Sequence, residues 1–236
     1  KFSNVKGNYS LAFEDLSLGN PLILNDEKTN AASIIKIFIM IDAFNQVKNG
    51  NISLDQTLTL EDNMKVGGSG VLQHSKEGTT YTVEKLINLM MSKSDNVAAN
   101  MLIDLLGINN INDEIKALGC NNTELNRKLM DKKSLDEGID NYTSVGDLSL
   151  IFNKLYDNQC LGKDYDEQML DLMLNQQLKT KIPKELPKGT KIAHKSGEFT
   201  GIQNDCGIIY TPNGAYFLAV MTKDGESKQQ INAIEI

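Results

Sequence analysis

Strand-like alternation stands at both ends of this 236-residue chain, and its long helical periodicities lie between them. Near the start, Tyr9, Leu11 and Phe13 alternate over residues 8–14, and a turn at Gly19-Asn20-Pro21 leads into a short strand at 22–24. Strand-like runs return at 191–196, 206–210 and 215–221. An unpaired strand leaves its N–H and C=O groups open, so strands from the two ends must meet in one antiparallel sheet. The predicted class is α/β of the α+β type: an antiparallel sheet flanked by helices, with an inserted all-α lobe. Residues 1–32 and 186–236 supply the sheet domain, and residues 33–185 the helical lobe.

Within the lobe, a long apolar helix is predicted over 33–48, stopped by Asn49-Gly50. Helical spacing resumes at 83–92, 97–106, 111–118, 144–157 and 167–178. Residues 181–190, with Pro183, Pro187 and Gly189, read as a connector, and a terminal helix is expected from Ser227. A cleft between sheet and lobe is where a site is expected.

Three short elements fall in order along this frame: Ser33-Ile34-Ile35-Lys36, Ser94-Asp95-Asn96 and Lys195-Ser196-Gly197. The first pattern alone is cheap, since Ser3 and Lys6 repeat it. The ordered triple supplies a nucleophilic site that needs no histidine. Ser33 and Lys36 project from one helical face, and Ser33 falls in a first turn where free N–H groups favour negative charge. The Ser33 N–H can donate to an oxyanion, with the N–H of Glu198 as second donor. Lys36 can serve as base if its pKa falls from about 10.4 toward roughly 7–8, which burial and a second cation, Lys195, can bring about. Ser94 is placed between Lys36 and a leaving nitrogen, Asn96 against the substrate amide and Lys36, and Asp95 inward as a brace. Strand alternation sends Lys195 and Ser196 to opposite faces, while Gly197 allows a substrate backbone to approach.

The bulk numbers narrow the partners. A net charge of −7 argues against nucleic acid, because no basic stripe offsets phosphate repulsion. No apolar run reaches the roughly 18–20 residues of a membrane span. Cys120, Cys160 and Cys206 form neither a zinc pattern nor a disulfide framework, and His74 and His194 stand alone, so neither metal nor cofactor is expected. The chain is expected to act as a monomer. Lys1 in place of a methionine implies that an upstream segment has been removed.

The triple resembles that of the penicillin-recognising serine enzymes, and its spacing is similar to class A β-lactamases. Residues 31–36, 94–102 and 194–197 with Asn204-Asp205 resemble that family's nucleophile helix, central serine stretch and final strand region. The resemblance implies acyl transfer through a serine ester on a β-lactam or cell-wall peptide, by a secreted, periplasmic or cell-surface protein. It also implies an Arg127–Asp140 clamp on an omega-shaped loop.

The sequence departs from that pattern in two places. Leu129 stands where the deacylating glutamate is assigned, and Asp131 is the nearest carboxylate that could replace it, with Glu124, Asp136 and Glu137 as further candidates. No arginine lies near the final strand, so a substrate carboxylate is left to Lys195, Ser196 and Thr200. Three readings follow: a β-lactamase of weak turnover, a DD-peptidase or related acyl hydrolase, and a non-enzymatic sensor that keeps its adduct.

Overall fold

The computed structural model describes residues 6–235. The Ser3 end of the repeated pattern lies outside them. Strand β1 (Asn8–Asp15) is followed by β2 (Leu22–Leu24) and β3 (Thr29–Asn30). A 3-10 turn (Ala32–Ile35) then leads into α1 (Lys36–Lys48). Next come β4 (Thr57–Thr59), β5 (Thr80–Thr82), α2 (Val83–Ser92), α3 (Asn96–Leu106), α4 (Ile108–Ala117) and the short α5 (Lys132–Asp136). Strand β6 (Tyr142–Thr143), α6 (Val145–Tyr156) and α7 (Lys163–Leu174) return the chain to β7 (Lys191–Phe199), β8 (Ile202–Thr211), β9 (Gly214–Lys223) and α8 (Ser227–Ile234).

The main sheet has the order β2-β1-β9-β8-β7, antiparallel throughout. Strand β1 pairs with β9 from Asn8↔Lys223 to Asp15↔Tyr216, so the two ends of the chain close the sheet as the alternation requires. Strands β7 and β8 run further than expected. Polar residues such as Gln203, Asn204 and Asp205 have little strand propensity, but the β7 ladder carries them, with Gly197 opposite Asn204 and Ser196 opposite Asp205.

Helix α1 is almost wholly buried, from Lys36 through Phe44, which suits a helix apolar on every side. Helix α6 lies against the sheet, where Phe152 meets Phe217 of β9 with ring centroids 5.0 Å apart. The Asn153 amide of α6 donates to the buried Glu14 of β1 at 2.5 Å. One hydrophobic cluster joins residues of both sheet and helices. Helix α7 starts four residues before its expected first turn, because the Asp166 carboxylate accepts the Cys160 and Leu161 N–H groups and anchors that turn. Among the described residues no helix is long and apolar enough to cross a membrane.

Candidate active site

The residue that sequence periodicity puts in the first turn of a long helix, Ser33, lies instead on the 3-10 turn before α1. A 3-10 turn has three residues per turn, so Ser33 and Lys36 are stacked one above the other. Ala32, just before the serine, has φ +45° in the left-handed region, which costs a non-glycine residue about 1–2 kcal/mol. Its N–H is held by Asn30 Oδ1 at 2.8 Å. Strand β7 presses on this turn. A Cβ at Gly197 would fall 3.0 Å from the Ser33 nitrogen and 3.1 Å from the Ala31 oxygen, so the glycine admits the backbone of the Ser33 turn.

Two lysines reach one hydroxyl beneath Ser33. Lys36 Nζ lies 3.0 Å from Ser33 Oγ, 3.0 Å from Ser94 Oγ, 2.8 Å from Asn96 Oδ1 and 2.7 Å from the Ser94 carbonyl. Lys195 Nζ lies 3.0 Å from the same Ser94 Oγ and donates to the Ser196 carbonyl at 2.7 Å. Neither amine is exposed at all. Burial, reinforced by the Lys195 charge, holds the Lys36 pKa well below the usual lysine range. Burial and then the neighbouring Lys181 bring Lys195 down to about 7. An ammonium has three protons for the four acceptors around Lys36, whereas a neutral amine has a lone pair to offer the Ser33 hydroxyl. The arrangement can therefore move a proton from Ser33 through Lys36 to Ser94.

The central element is fixed from below. Asp95, wholly buried, accepts the Val71 and Leu72 N–H groups on Oδ2 at 2.6 and 2.9 Å and caps α3 through Ala98 N at 3.0 Å. Ser94 is thereby held at φ +54°, and the Asn96 amide donates to the Gly67 carbonyl at 3.0 Å.

Lys181 is a third buried amine, which sequence reasoning placed in a connector. It is 2% exposed, donates to the Gly197 carbonyl at 3.0 Å and stands 3.9 Å from the Glu198 carboxylate. Asp205 lies under both Lys181 and Lys195, accepting from Ile182 N at 3.1 Å with His194 Nδ1 at 3.0 Å, and its charge partly restores both amines. No local pattern marks Lys181, because its place depends on how the connector folds under β7.

A cleft of about 170 Å³ opens over Ser33. Asn96 and Glu198 line it, together with Asn30, Leu129, Met130 and Phe199. Ser196 and Gly197 continue β7 beside the cleft without lining it. Two expectations are corrected here. Thr200 sits exposed on the hairpin turn beyond Phe199, because β7 runs too far to bring it back to the cleft. Asp131 caps α5, giving its carboxylate to Ser134 N at 3.1 Å and Ser134 Oγ at 2.7 Å, and it does not line the cleft. Leu129, by contrast, is 7% exposed and stands in the cleft wall.

The loop that carries Leu129 is fastened at three points. Arg127 Nε and Nη2 both donate to Asp140 Oδ1, at 3.0 and 2.6 Å. Asn141 accepts the Asn126 and Arg127 N–H groups at 2.8 and 3.0 Å and donates to the Arg127 carbonyl at 3.1 Å. The Asn100 carboxamide pairs with both backbone groups of Leu129, at 2.8 and 3.0 Å. Sequence reasoning identified the arginine clamp but neither asparagine. Among the described residues no group of three or more His, Cys, Asp or Glu side chains could hold a metal ion.

A five-stranded antiparallel sheet with helices packed against it, and a serine and buried amines gathered at the edge of β7, is the α+β frame of the β-lactamases. The chain belongs to the beta-lactamase enzyme family, whose sequence model matches residues 2–235. The β-lactamase VEB-1 of Pseudomonas aeruginosa is 26% identical over 227 residues, spanning 89% of this chain and 75% of that protein. The crystal structure of the β-lactamase from Sphaerobacter thermophilus DSM 20745 is similar with a TM-score of 0.92 and 31% identity, covering 98% of this chain and 89% of the other. A leucine-to-glutamate variant of PBP-A, solved as an acyl-enzyme complex with penicillin G, is 31% identical with a TM-score of 0.87, covering 96% and 87% of the two chains. The protein is accordingly a β-lactamase-like hydrolase of α+β fold.

Proposed function

We propose that Ser33 is acylated by β-lactams in the class A manner and that the resulting ester is hydrolysed slowly. Neutral Lys36 takes the Ser33 proton as Oγ attacks the lactam carbonyl, and Ser94 passes a proton to the ring nitrogen as the C–N bond breaks. The Ser33 and Glu198 N–H groups are the oxyanion donors on this reading. Asn96 orients the substrate amide, and Ser196 and Gly197 extend that edge. Lys195 faces the substrate carboxylate, and the charge of Lys181 deepens the positive field there, in the role that sequence reasoning gave to Thr200. The observation that carries the reading is the single buried amine of Lys36, 3.0 Å from the hydroxyls of both Ser33 and Ser94.

Slow hydrolysis rests on Leu129. A deacylating water needs a base beside the ester, and Glu198 is the one carboxylate among the described residues lining the cleft. Its side chain is 65% exposed and turned toward Lys181. The same feature favours a second reading, in which Ser33 forms its ester with cell-wall peptides as a DD-peptidase. Both substrates are met outside the cytoplasm, so export belongs to the proposal, as do a monomeric enzyme and a part in antibiotic resistance.

The test is intact mass after incubation with penicillin G. The expected result is a stoichiometric adduct that Ser33→Ala abolishes, with slow turnover of a chromogenic cephalosporin. An unmodified wild-type mass would sink the proposal.

A further inference from the structure

The Asp140 carboxylate is shared. Arg127 occupies Oδ1, and the side-chain amide of Asn30 donates to Oδ2. The other end of the same carboxamide, Asn30 Oδ1, accepts the Ala32 N–H at 2.8 Å. Ala32 is the left-handed residue directly before Ser33. The Asn30 backbone is tied as well, since Asn204 of β8 donates to its carbonyl at 3.0 Å and β3 pairs with β6. One short side chain therefore touches the loop clamp with its donor and the nucleophile turn with its acceptor. Asparagine meets both demands, whereas aspartate would offer only acceptors.

We propose that Asn30 is a positioning residue for acylation, coupling the Arg127–Asp140 clamp to the turn that aims Ser33. The proposal rests on the acylation reading above. Ala32 holds its left-handed backbone while its N–H is fixed, and the Ser33 N–H and hydroxyl follow from that peptide's orientation. Loosening the loop frees Asn30, and the turn relaxes away from the attack geometry. The loop then affects the first chemical step as well as the water beside the ester.

The test uses Asn30→Asp, which keeps an acceptor for Ala32 but sets an oxygen against Asp140 Oδ2. Adding Asp140→Asn reverses the donor and acceptor and restores the bond. The expected fall in the first-order acylation constant for Asn30→Asp is about 10–100-fold with little change in penicillin affinity, and recovery in the double variant to within about threefold. In ligand-free protein, Asp140→Ala should speed hydrogen exchange at the Ala32 amide about tenfold. A lowered melting temperature with unchanged acylation would overturn the proposal, as would a double variant that stays slow or an Ala32 amide indifferent to Asp140→Ala. If wild-type protein takes no adduct, the acylation reading is refuted, and the exchange result alone decides the coupling.

Discussion

Lys36 and Lys195 meet at one atom: each places its Nζ 3.0 Å from the Ser94 hydroxyl oxygen, one from the start of α1 and the other from β7. Two full charges on one buried oxygen repel each other, so the pair resists being doubly protonated. The site works on the proposed mechanism when Lys36 is neutral and Lys195 charged.

The pH dependence follows. At low substrate, acylation rises with pH as Lys36, held well below the usual lysine range by burial and then by Lys195, gives up its proton. It falls again as Lys195 loses its own near about 7. At saturating substrate the bound carboxylate favours the charged Lys195, and the falling limb moves to higher pH. Stopped-flow acylation across pH is the measurement, and a flat profile would contradict these roles.

Lys181→Met tests the third amine. Burial is the main cause of the low Lys195 pKa, and Lys181 is the next. Removing its charge should shift the alkaline limb upward and weaken penicillin affinity about tenfold, with less effect on the first-order acylation constant. Separate measurement of affinity and acylation rate distinguishes this from general damage to the fold.

Leu129→Glu should place a carboxylate in the cleft wall. A general base there is expected to shorten the adduct lifetime about 100-fold or more, read by mass spectrometry and cephalosporin turnover. Leu129→Gln, similar in size but unable to act as a base, should leave the lifetime nearly unchanged. Equal acceleration by both variants would point to loosened packing instead.

Asn141→Ala removes an acceptor for two backbone N–H groups and a donor to the Arg127 carbonyl, on a side chain 2% exposed. Each buried group left unsatisfied costs about 1–3 kcal/mol, and each kcal/mol is worth roughly 2–4 °C in a domain of this size. Calorimetry should show a melting temperature lower by about 6 °C or more, whereas an unchanged value would mean that water replaces these bonds.

The candidate site residues that meet in the fold were legible because motif and periodicity are local properties. The order of Ser33, Lys36, Ser94 and Lys195, and the strands at both ends, can be read before any folding is considered. Thr200 and Asp131 were misplaced for a different reason. A strand's length is set by ladder partners distant in sequence, and a carboxylate's freedom depends on the donors nearby, which for Asp131 are those of Ser134.

What the chain alone determined is the set of candidate groups and the sheet that must close around them, since both follow from side-chain type and the need to pair strands. Only the tertiary structure decided that Lys181 lies under β7, that Asp140 is divided between Arg127 and Asn30, and that Asn100 holds the backbone of Leu129. Each of these depends on burial and on hydrogen bonds between distant segments, and desolvation acts only where the folded chain has removed the water.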